Sequence, residues 1–199
     1  LGVEPVGPAD VRVPAQYPDI SQVRQHIADH YNSIARTDYQ VGEVIQQLKD
    51  DGRWGNTVVI LYSDHGSDLP RSKEFVYHEG LQVPLIIAGP GLIEPDRRGE
   101  IVNLMDISAT TLALAGVEVP ESMDAMDLFA PDYHREYVYS SADRMSNVID
   151  RVRSVMGERF HYIRNFKLDR PLFNWGHREM IASMNDPEGK NTSFMAMRR

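Results

Sequence analysis

Residues 56–91, NTVVILYSDHGSDLPRSKEFVYHEGLQVPLIIAGPG, contain two apolar strand candidates and the closest cluster of reactive side chains in the chain. Residues 57–62 are aliphatic and β-branched without polar alternation, which is typical of a strand covered on both faces of a parallel sheet. Residues 83–88 repeat this pattern and end at Gly89-Pro90-Gly91. The stretch therefore predicts two buried strands joined by a polar loop.

The loop begins with Ser63-Asp64-His65-Gly66, directly after the first predicted strand. Open α/β sheets bind their ligands at the carboxyl ends of strands, and Gly66 allows the backbone to turn sharply there. Asp64 offers a carboxylate oxygen and His65 an imidazole nitrogen, so both are candidate ligands of one divalent ion. Lys73, nine positions after Asp64, is a candidate positive charge that stabilises an oxyanion in the same cavity.

The segments on either side of this stretch predict helices. Apolar residues from Val23 onward recur at intervals of three, four or seven, which indicates an amphipathic helix that ends at Asp51-Gly52. Asp19 or Ser21 is its candidate N-cap. A second helix is predicted over residues 103–115, with Gly116 just past its end.

This alternation of strands and helices predicts the α/β class. Residues 1–116 form the predicted α/β domain, and residues 117–136 read as a linker because they carry two prolines and no periodicity. Residues 137–199 form a predicted smaller subdomain. Within it, residues 153–163 predict two antiparallel strands around Gly157-Glu158.

Composition limits the classes of function. The chain has 199 residues with 21 Lys and Arg against 29 Asp and Glu, so its net charge is −8. An acidic chain is a poor candidate for binding nucleic acid or an anionic membrane. The absence of cysteine excludes disulfides, thiolate metal sites and a cysteine nucleophile. Because the chain begins at Leu1 with no signal-like or membrane-spanning segment in view, we expect it to be a fragment or a processed piece.

The stretch contains, in order, a predicted strand, Ser-Asp-His-Gly, Lys73, Tyr-x-Glu-Gly, Val-Pro-Leu-Ile and Gly-Pro-Gly. This order resembles the second half of the sulfatase family, within the alkaline-phosphatase superfamily. The resemblance is strongest to the sulfamidase-like and heparan-sulfatase-like branch. Segments near residues 31–42, 104–116 and 151–165 extend it over about residues 10–175. It implies a mixed sheet sandwiched by helices, followed by a smaller C-terminal antiparallel subdomain. Residues 1–116 would be the second half of the catalytic domain.

The resemblance also implies roles for individual residues. Asp64 matches the family's second-half metal carboxylate, and His65 occupies the next ligand position, where many relatives carry Asn. The family implies calcium, but an imidazole ligand leaves manganese and zinc as alternatives. Lys73 matches the basic residue that contacts the sulfate. Arg71 and His78 are weaker candidates for substrate binding.

The implied activity is metal-assisted hydrolysis of sulfate esters or sulfamates on a small molecule or saccharide. Sulfatases attack sulfur with formylglycine made from a Cys/Ser-x-Pro-x-Arg motif, which has no counterpart among these residues. We therefore expect the nucleophile in a missing N-terminal half, and the chain alone to be inactive. A phosphodiesterase or phosphonate hydrolase of the same superfamily and a truncated non-catalytic domain remain alternatives. The resemblance implies a periplasmic or secreted protein and leaves the oligomeric state open.

Overall fold

A computed structural model describes residues 4–67, 69, 71–92, 97–145 and 148–169 of the chain. It has mixed α/β architecture with two small sheets. One unit consists mainly of residues 1–93, and the other consists mainly of residues 94–143 and 149–171. Within the described ranges, no helix is long and apolar enough to cross a membrane.

The first unit is organised around helix α1 (Ser21–Asp50), which stops at the predicted Asp51-Gly52, with Asp51 as its C-cap. Gly52 follows with a φ of 66°, the left-handed conformation that glycine adopts without strain. The extended segment before α1 packs on its first turns and forms a core of buried residues, namely Val11, Tyr17, Val23, Ile27 and Ala28. Further along the helix Ile34 is 53% exposed, so only the beginning of the apolar stripe is buried in this chain.

The predicted N-cap of α1 is wrong. Ile20 occupies the N-cap position, and no side chain there bonds to the helix. The Asp19 carboxylate instead accepts a hydrogen bond of 2.8 Å from the Arg24 guanidinium. Arg24 also donates to the carbonyl of Val11 at 3.1 Å. Asp19 therefore positions Arg24, which links the extended segment to the helix.

Strands β1 (Val59–Tyr62) and β2 (Leu85–Ala88) form the sheet of the first unit. They pair antiparallel, with Val59 opposite Ala88 and Tyr62 opposite Leu85, so the predicted parallel arrangement is wrong for this pair. Among the described residues between the two strands, the only helix is the one-turn α2 (His78–Leu81), so no crossover helix of the kind that usually joins parallel strands is present there. Tyr62 is 49% exposed, so these strands are not covered on both faces.

In the part of the chain that the structure describes, the second unit contains helix α3 (Asp106–Leu114) and all or most of three strands, β3 (Val138–Met145), β4 (Val148–Met156) and β5 (His161–Asn165). Gly116, with a φ of 71°, follows the end of α3 as predicted. The strands lie in the order β3-β4-β5. Antiparallel pairing of β4 with β5 places Met156 opposite His161, which confirms the predicted hairpin around Gly157-Glu158.

A buried carboxylate connects α3 to the segment that follows it. Asp106 is fully buried at the first position of α3 and forms a two-pronged ion pair with Arg135, at 2.5 and 3.0 Å. The hydroxyl of Tyr133 donates to it at 2.9 Å, and so do the backbone N–H groups of Asn103 and Met126, each at 3.0 Å. The buried carboxylate of Asp106 is therefore fully hydrogen-bonded. Its bonds to Met126, Tyr133 and Arg135 hold this part of residues 117–136 against α3.

These contacts set the ionisation of the cluster. Burial by itself raises the pKa of Asp106, but the hydrogen bonds from Arg135 and from the backbone outweigh it and lower the pKa below 3.8. Burial, reinforced by the bond to Asp106, raises the pKa of Tyr133 to about 12. The carboxylate thus stays charged and the tyrosine stays protonated across the neutral range.

We expect Asp106→Asn to lower the free energy of unfolding by about 3 to 5 kcal/mol, because Arg135 would remain buried without its charge partner. Urea unfolding followed by circular dichroism measures this loss. The Asp106 pKa is lowered in the folded state, so its contribution is complete above the unfolded pKa near 3.8 and disappears as the pH falls through the folded pKa. The variant should therefore lose part of the wild-type dependence of stability on acid pH.

Asp19→Asn is the matched control, since it removes an exposed carboxylate that is also paired with an arginine. Exposed pairs contribute little, so the control should unfold close to wild type. Equal losses in the two variants would contradict a special role for the buried cluster.

Candidate functional site

The loop after β1 folds back on itself through two glycines. The Gly66 N–H donates to the carbonyl of Gly80 at 3.1 Å, and the Ser67 N–H donates to the carbonyl of Glu79 at 3.2 Å. A Cβ at residue 66 would lie 1.9 Å from the Glu79 carbonyl oxygen, and one at residue 80 would lie 2.1 Å from the Ser72 carbonyl oxygen. Only glycine allows these backbone segments to approach so closely.

This folding brings Lys73 back to the segment that carries Asp64 and His65. The Lys73 N–H donates to the carbonyl of Ser67 at 2.9 Å. Ser72, which lies between the exposed Arg71 and Lys73, is fully buried. The backbone that carries the two basic side chains is therefore anchored by the buried Ser72 between them.

The segment before α1 holds the loop from the other side. The Tyr17 and Ser72 hydroxyls are 3.3 Å apart in a buried hydrogen bond, and the side-chain amide of Gln16 donates to the Glu79 carboxylate at 3.1 Å. Leu69 also packs on the core that contains Tyr17. The sequence analysis missed these contacts because no local pattern links residues so far apart along the chain.

Asp64 and His65 present two donor atoms to the same region. The Nδ1 atom of His65 lies 2.8 Å from the carbonyl oxygen of Gly66. A carbonyl only accepts, so in a neutral imidazole Nδ1 carries the proton and Nε2 keeps its lone pair. This Nε2 atom lies 3.7 Å from Oδ1 of Asp64. Metal–ligand distances of about 2.0 to 2.5 Å allow two atoms at this separation to bind one ion.

The pair fits a divalent ion but does not complete its coordination. In the described part of the chain, no group of three or more His, Asp or Glu side chains is placed to hold a metal. The Asp64 side chain is 86% exposed, which leaves its carboxylate open to solvent and to further ligands. Asp64 and His65 therefore form part of a metal site at most, because protein sites use four or more ligands.

The remaining predicted site residues are at the surface. Lys73 and His78 are exposed, the latter at the start of α2. The Arg71 guanidinium lies 4.9 Å from the centre of the Tyr77 ring, a cation–π contact that restricts its position. Arg71 and Glu74 have φ angles of 66° and 72°, which are unfavourable for side chains with a Cβ. Such strain is found preferentially at binding and catalytic loops.

Comparison with known proteins identifies related sequences. A family model described as Sulfatase matches residues 5–117, and one described as N-sulphoglucosamine sulphohydrolase, C-terminal, matches residues 71–192. An ulvan-active sulfatase of Formosa agariphila is 34% identical over 87% of the chain. The human N-sulphoglucosamine sulphohydrolase is 33% identical over 57% of it. The chain spans only 30% and 23% of the lengths of these two relatives.

Two solved structures share the fold. A protein in complex with its substrate D-glucosamine-2-N,6-O-disulfate aligns with 89% of the chain at a TM-score of 0.59 and 20% identity. A phosphonate monoester hydrolase from Silicibacter pomeroyi aligns with 97% at a TM-score of 0.61 and 19% identity. The chain covers 40% and 44% of these structures, so it corresponds to less than half of each fold.

We expect Gly66→Ala and Gly80→Ala each to lower the free energy of unfolding by about 2 to 3 kcal/mol, because the added methyl group overlaps a carbonyl oxygen. Gly42→Ala is the matched control, since a Cβ at this exposed position in α1 meets nothing within 4 Å. It should stabilise the chain by about 1 kcal/mol through helix propensity. Thermal unfolding compares all three, and a neutral Gly66→Ala would contradict the tight approach.

We expect Tyr17→Phe to loosen the loop, because Ser72 loses a buried hydrogen bond that contributes about 1 kcal/mol. Native-state hydrogen exchange at the Lys73 amide, which is bonded to Ser67, measures this effect. Tyr31→Phe, at a 45% exposed tyrosine of α1, should leave the exchange rate unchanged. Unchanged exchange in Tyr17→Phe as well would show that the hydroxyl does not hold the loop.

Proposed function

Because the chain belongs to the sulfatase family, we propose that it forms part of a hydrolase that cleaves sulfate esters or sulfamates of sugars. The observation that carries this proposal is the loop after β1. It places the Asp64 carboxylate 3.7 Å from the Nε2 atom of His65 and ties the Lys73 backbone to the same turn. The sugar is proposed from the similar proteins, which include an ulvan-active sulfatase, an N-sulphoglucosamine sulphohydrolase and a protein in complex with a glucosamine disulfate.

Asp64 and His65 would hold the divalent ion. A bound ion supplies positive charge that polarises the sulfate oxygens. The hydrogen bond from His65 Nδ1 to the Gly66 carbonyl orients the ring so that Nε2 is available as a ligand. The Asp64 carboxylate suits calcium or manganese and the His65 imidazole suits zinc, so we propose calcium, with manganese or zinc as the alternatives.

Lys73 would bind a sulfate oxygen and stabilise the negative charge that increases on it during the reaction. Its ammonium group is a compact charge on a flexible stem, and the buried Ser72 beside it fixes where that stem begins. Arg71 and His78 would contact other parts of the substrate. The formylglycine nucleophile and the remaining metal ligands would come from residues outside this chain.

Phosphonate or phosphodiester hydrolysis is the second candidate. The nitrogen donor of His65 favours it, because an imidazole suits zinc and a requirement for zinc or manganese would favour this candidate. The fold it shares with a phosphonate monoester hydrolase agrees with either activity. The two candidates differ in the nucleophile and in the preferred ion.

The test of function uses the native protein, purified from its source. Fragmentation mass spectrometry should detect formylglycine, and the protein should hydrolyse a glucosamine N- or O-sulfate faster than a phosphonate monoester. Lys73→Gln should lower kcat/KM by about 100-fold or more, as loss of an oxyanion-stabilising group does. Lys49→Gln, at an exposed lysine of α1, is the control. A protein without formylglycine that prefers the phosphonate would establish the second candidate instead.

The metal ligands can be tested in the 199-residue chain itself. We expect calorimetric titration with Ca²⁺, Mn²⁺ and Zn²⁺ to detect one weak site, in about the millimolar range, because two exposed donors form only part of a coordination shell. Asp64→Asn and His65→Ala should abolish it, whereas His65→Asn should retain calcium and lose zinc.

The double variant Asp132→Asn, His134→Ala is the matched control, because it removes an exposed Asp and an exposed His elsewhere in the chain. It should bind ions as wild type does. If it lost binding to the same degree as Asp64→Asn, the measured site would not be the one after β1.

A further inference from the structure

One face of the β3-β4-β5 sheet combines arginines with exposed aromatic rings. Side chains alternate between the two faces of a strand, so Tyr139 and Asp143 of β3 share a face, and so do Arg151 and Arg153 of β4. The opposite face holds the buried Val152 and Ser154. We call the exposed side the arginine–aromatic face, and it includes Tyr139, Asp143, Arg151, Arg153, Tyr162, Arg164 and Phe166.

The aromatic rings of this face are open to solvent. Tyr139 is 72% exposed, Tyr162 is 61% exposed and Phe166 is 45% exposed. The Arg164 guanidinium lies 4.6 Å from the centre of the Phe166 ring. Stacking leaves the N–H groups at the edge of a guanidinium free to donate, so this arginine is positioned without being neutralised.

The charges of this face are unbalanced. Register places Arg153 directly opposite Arg164, an arrangement of like charges that destabilises a sheet. Asp143 is the one carboxylate among the described residues of this face, and it binds Arg153 at 2.6 and 3.0 Å. The bond from Arg153 lowers the pKa of Asp143, and the charge of Arg151 lowers it further. Three arginines thus share one carboxylate, in a chain whose net charge is −8.

We propose that the arginine–aromatic face binds a sulfated polysaccharide. Guanidinium groups donate paired hydrogen bonds to multi-oxygen anions such as sulfate groups, and the C–H faces of sugar rings pack on aromatic side chains. An anionic ligand would also remove the repulsion between Arg153 and Arg164. The choice of a sulfated glycan over another polyanion rests on the proposed function, because that function supplies substrates of this chemistry.

The proposed ligand differs from the sulfate group that would react at the loop after β1. That loop lies in the first unit, whereas every residue of the arginine–aromatic face lies in the second. The face would hold sugar units without acting on them, so binding to it does not require the metal pair or Lys73. Loss of catalysis and loss of glycan binding are therefore separable.

The test measures equilibrium binding of the 199-residue chain to immobilised dextran sulfate, with uncharged dextran as reference. Wild type should bind only the sulfated polymer, and added salt should weaken the binding. Arg151→Gln, Arg164→Gln should weaken it about tenfold or more and reduce its dependence on salt. Tyr162→Ala should weaken it several-fold, whereas Tyr162→Phe should retain it because the ring remains.

The double variant Arg12→Gln, Arg36→Gln is the matched control, since it removes the same charge from two exposed arginines of the first unit. It should bind dextran sulfate as wild type does. Binding is measured without a divalent ion and without turnover, so a failure of the proposed catalysis would leave this result intact.

Three results would overturn the proposal. Wild type could fail to bind dextran sulfate, or the Arg12, Arg36 control could lose as much affinity as the Arg151, Arg164 variant. A single-stranded oligothymidylate could bind more tightly than dextran sulfate and be lost in the same variants, which would identify a nucleic-acid platform instead.

Discussion

The backbone at Gly66 lies against the backbone at Glu79 and Gly80, at a distance that no other residue type allows. The arrangement of the whole loop after β1 depends on this approach. It turns the chain back so that Lys73 reaches Ser67, close to Asp64 and His65. A loop over-determined in this way can also sustain unfavourable backbone angles, which explains how Arg71 and Glu74 keep positive φ values.

Two aspartates of the chain illustrate how surroundings decide the role of a carboxylate. Asp106 is fully buried, and its oxygens accept bonds from Arg135, Tyr133 and two backbone N–H groups, which leaves no place for a ligand. Asp64 is largely exposed, and its Oδ1 atom lies 3.7 Å from Nε2 of His65. The saturated carboxylate stabilises the second unit, whereas the open one is available for chemistry.

Two departures from local rules in this structure lie outside the buried core. Arg71 and Glu74 are strained beside Lys73, and Arg153 faces Arg164 across a strand pair. Each departure costs stability within the chain, and a bound anion would offset part of the cost of the arginine pair. Sites of this kind are where natural sequences give up local consistency for binding. The exposed Tyr62 and Ile86 of the first sheet belong to a chain that covers less than half of the structures sharing its fold.

The sequence by itself determined the features that depend on neighbouring residues. Periodicity and glycine positions located α1, its end at Gly52, the glycine after α3 and the hairpin around Gly157. It also placed Asp64 and His65 just past a strand. Their roles, and that of Lys73, remain predictions.

Only the tertiary structure decided the direction of β1 against β2 and the contacts between distant residues. A short apolar run has the same residue pattern in a parallel and in an antiparallel sheet, so the sequence did not determine the direction of β1 against β2. The compact fold of the loop between the two strands determined it. Tyr17 meets Ser72 across 55 positions, and Arg135 meets Asp106 across 29. No local pattern encodes such pairs, because packing brings the partners together and their spacing along the chain does not.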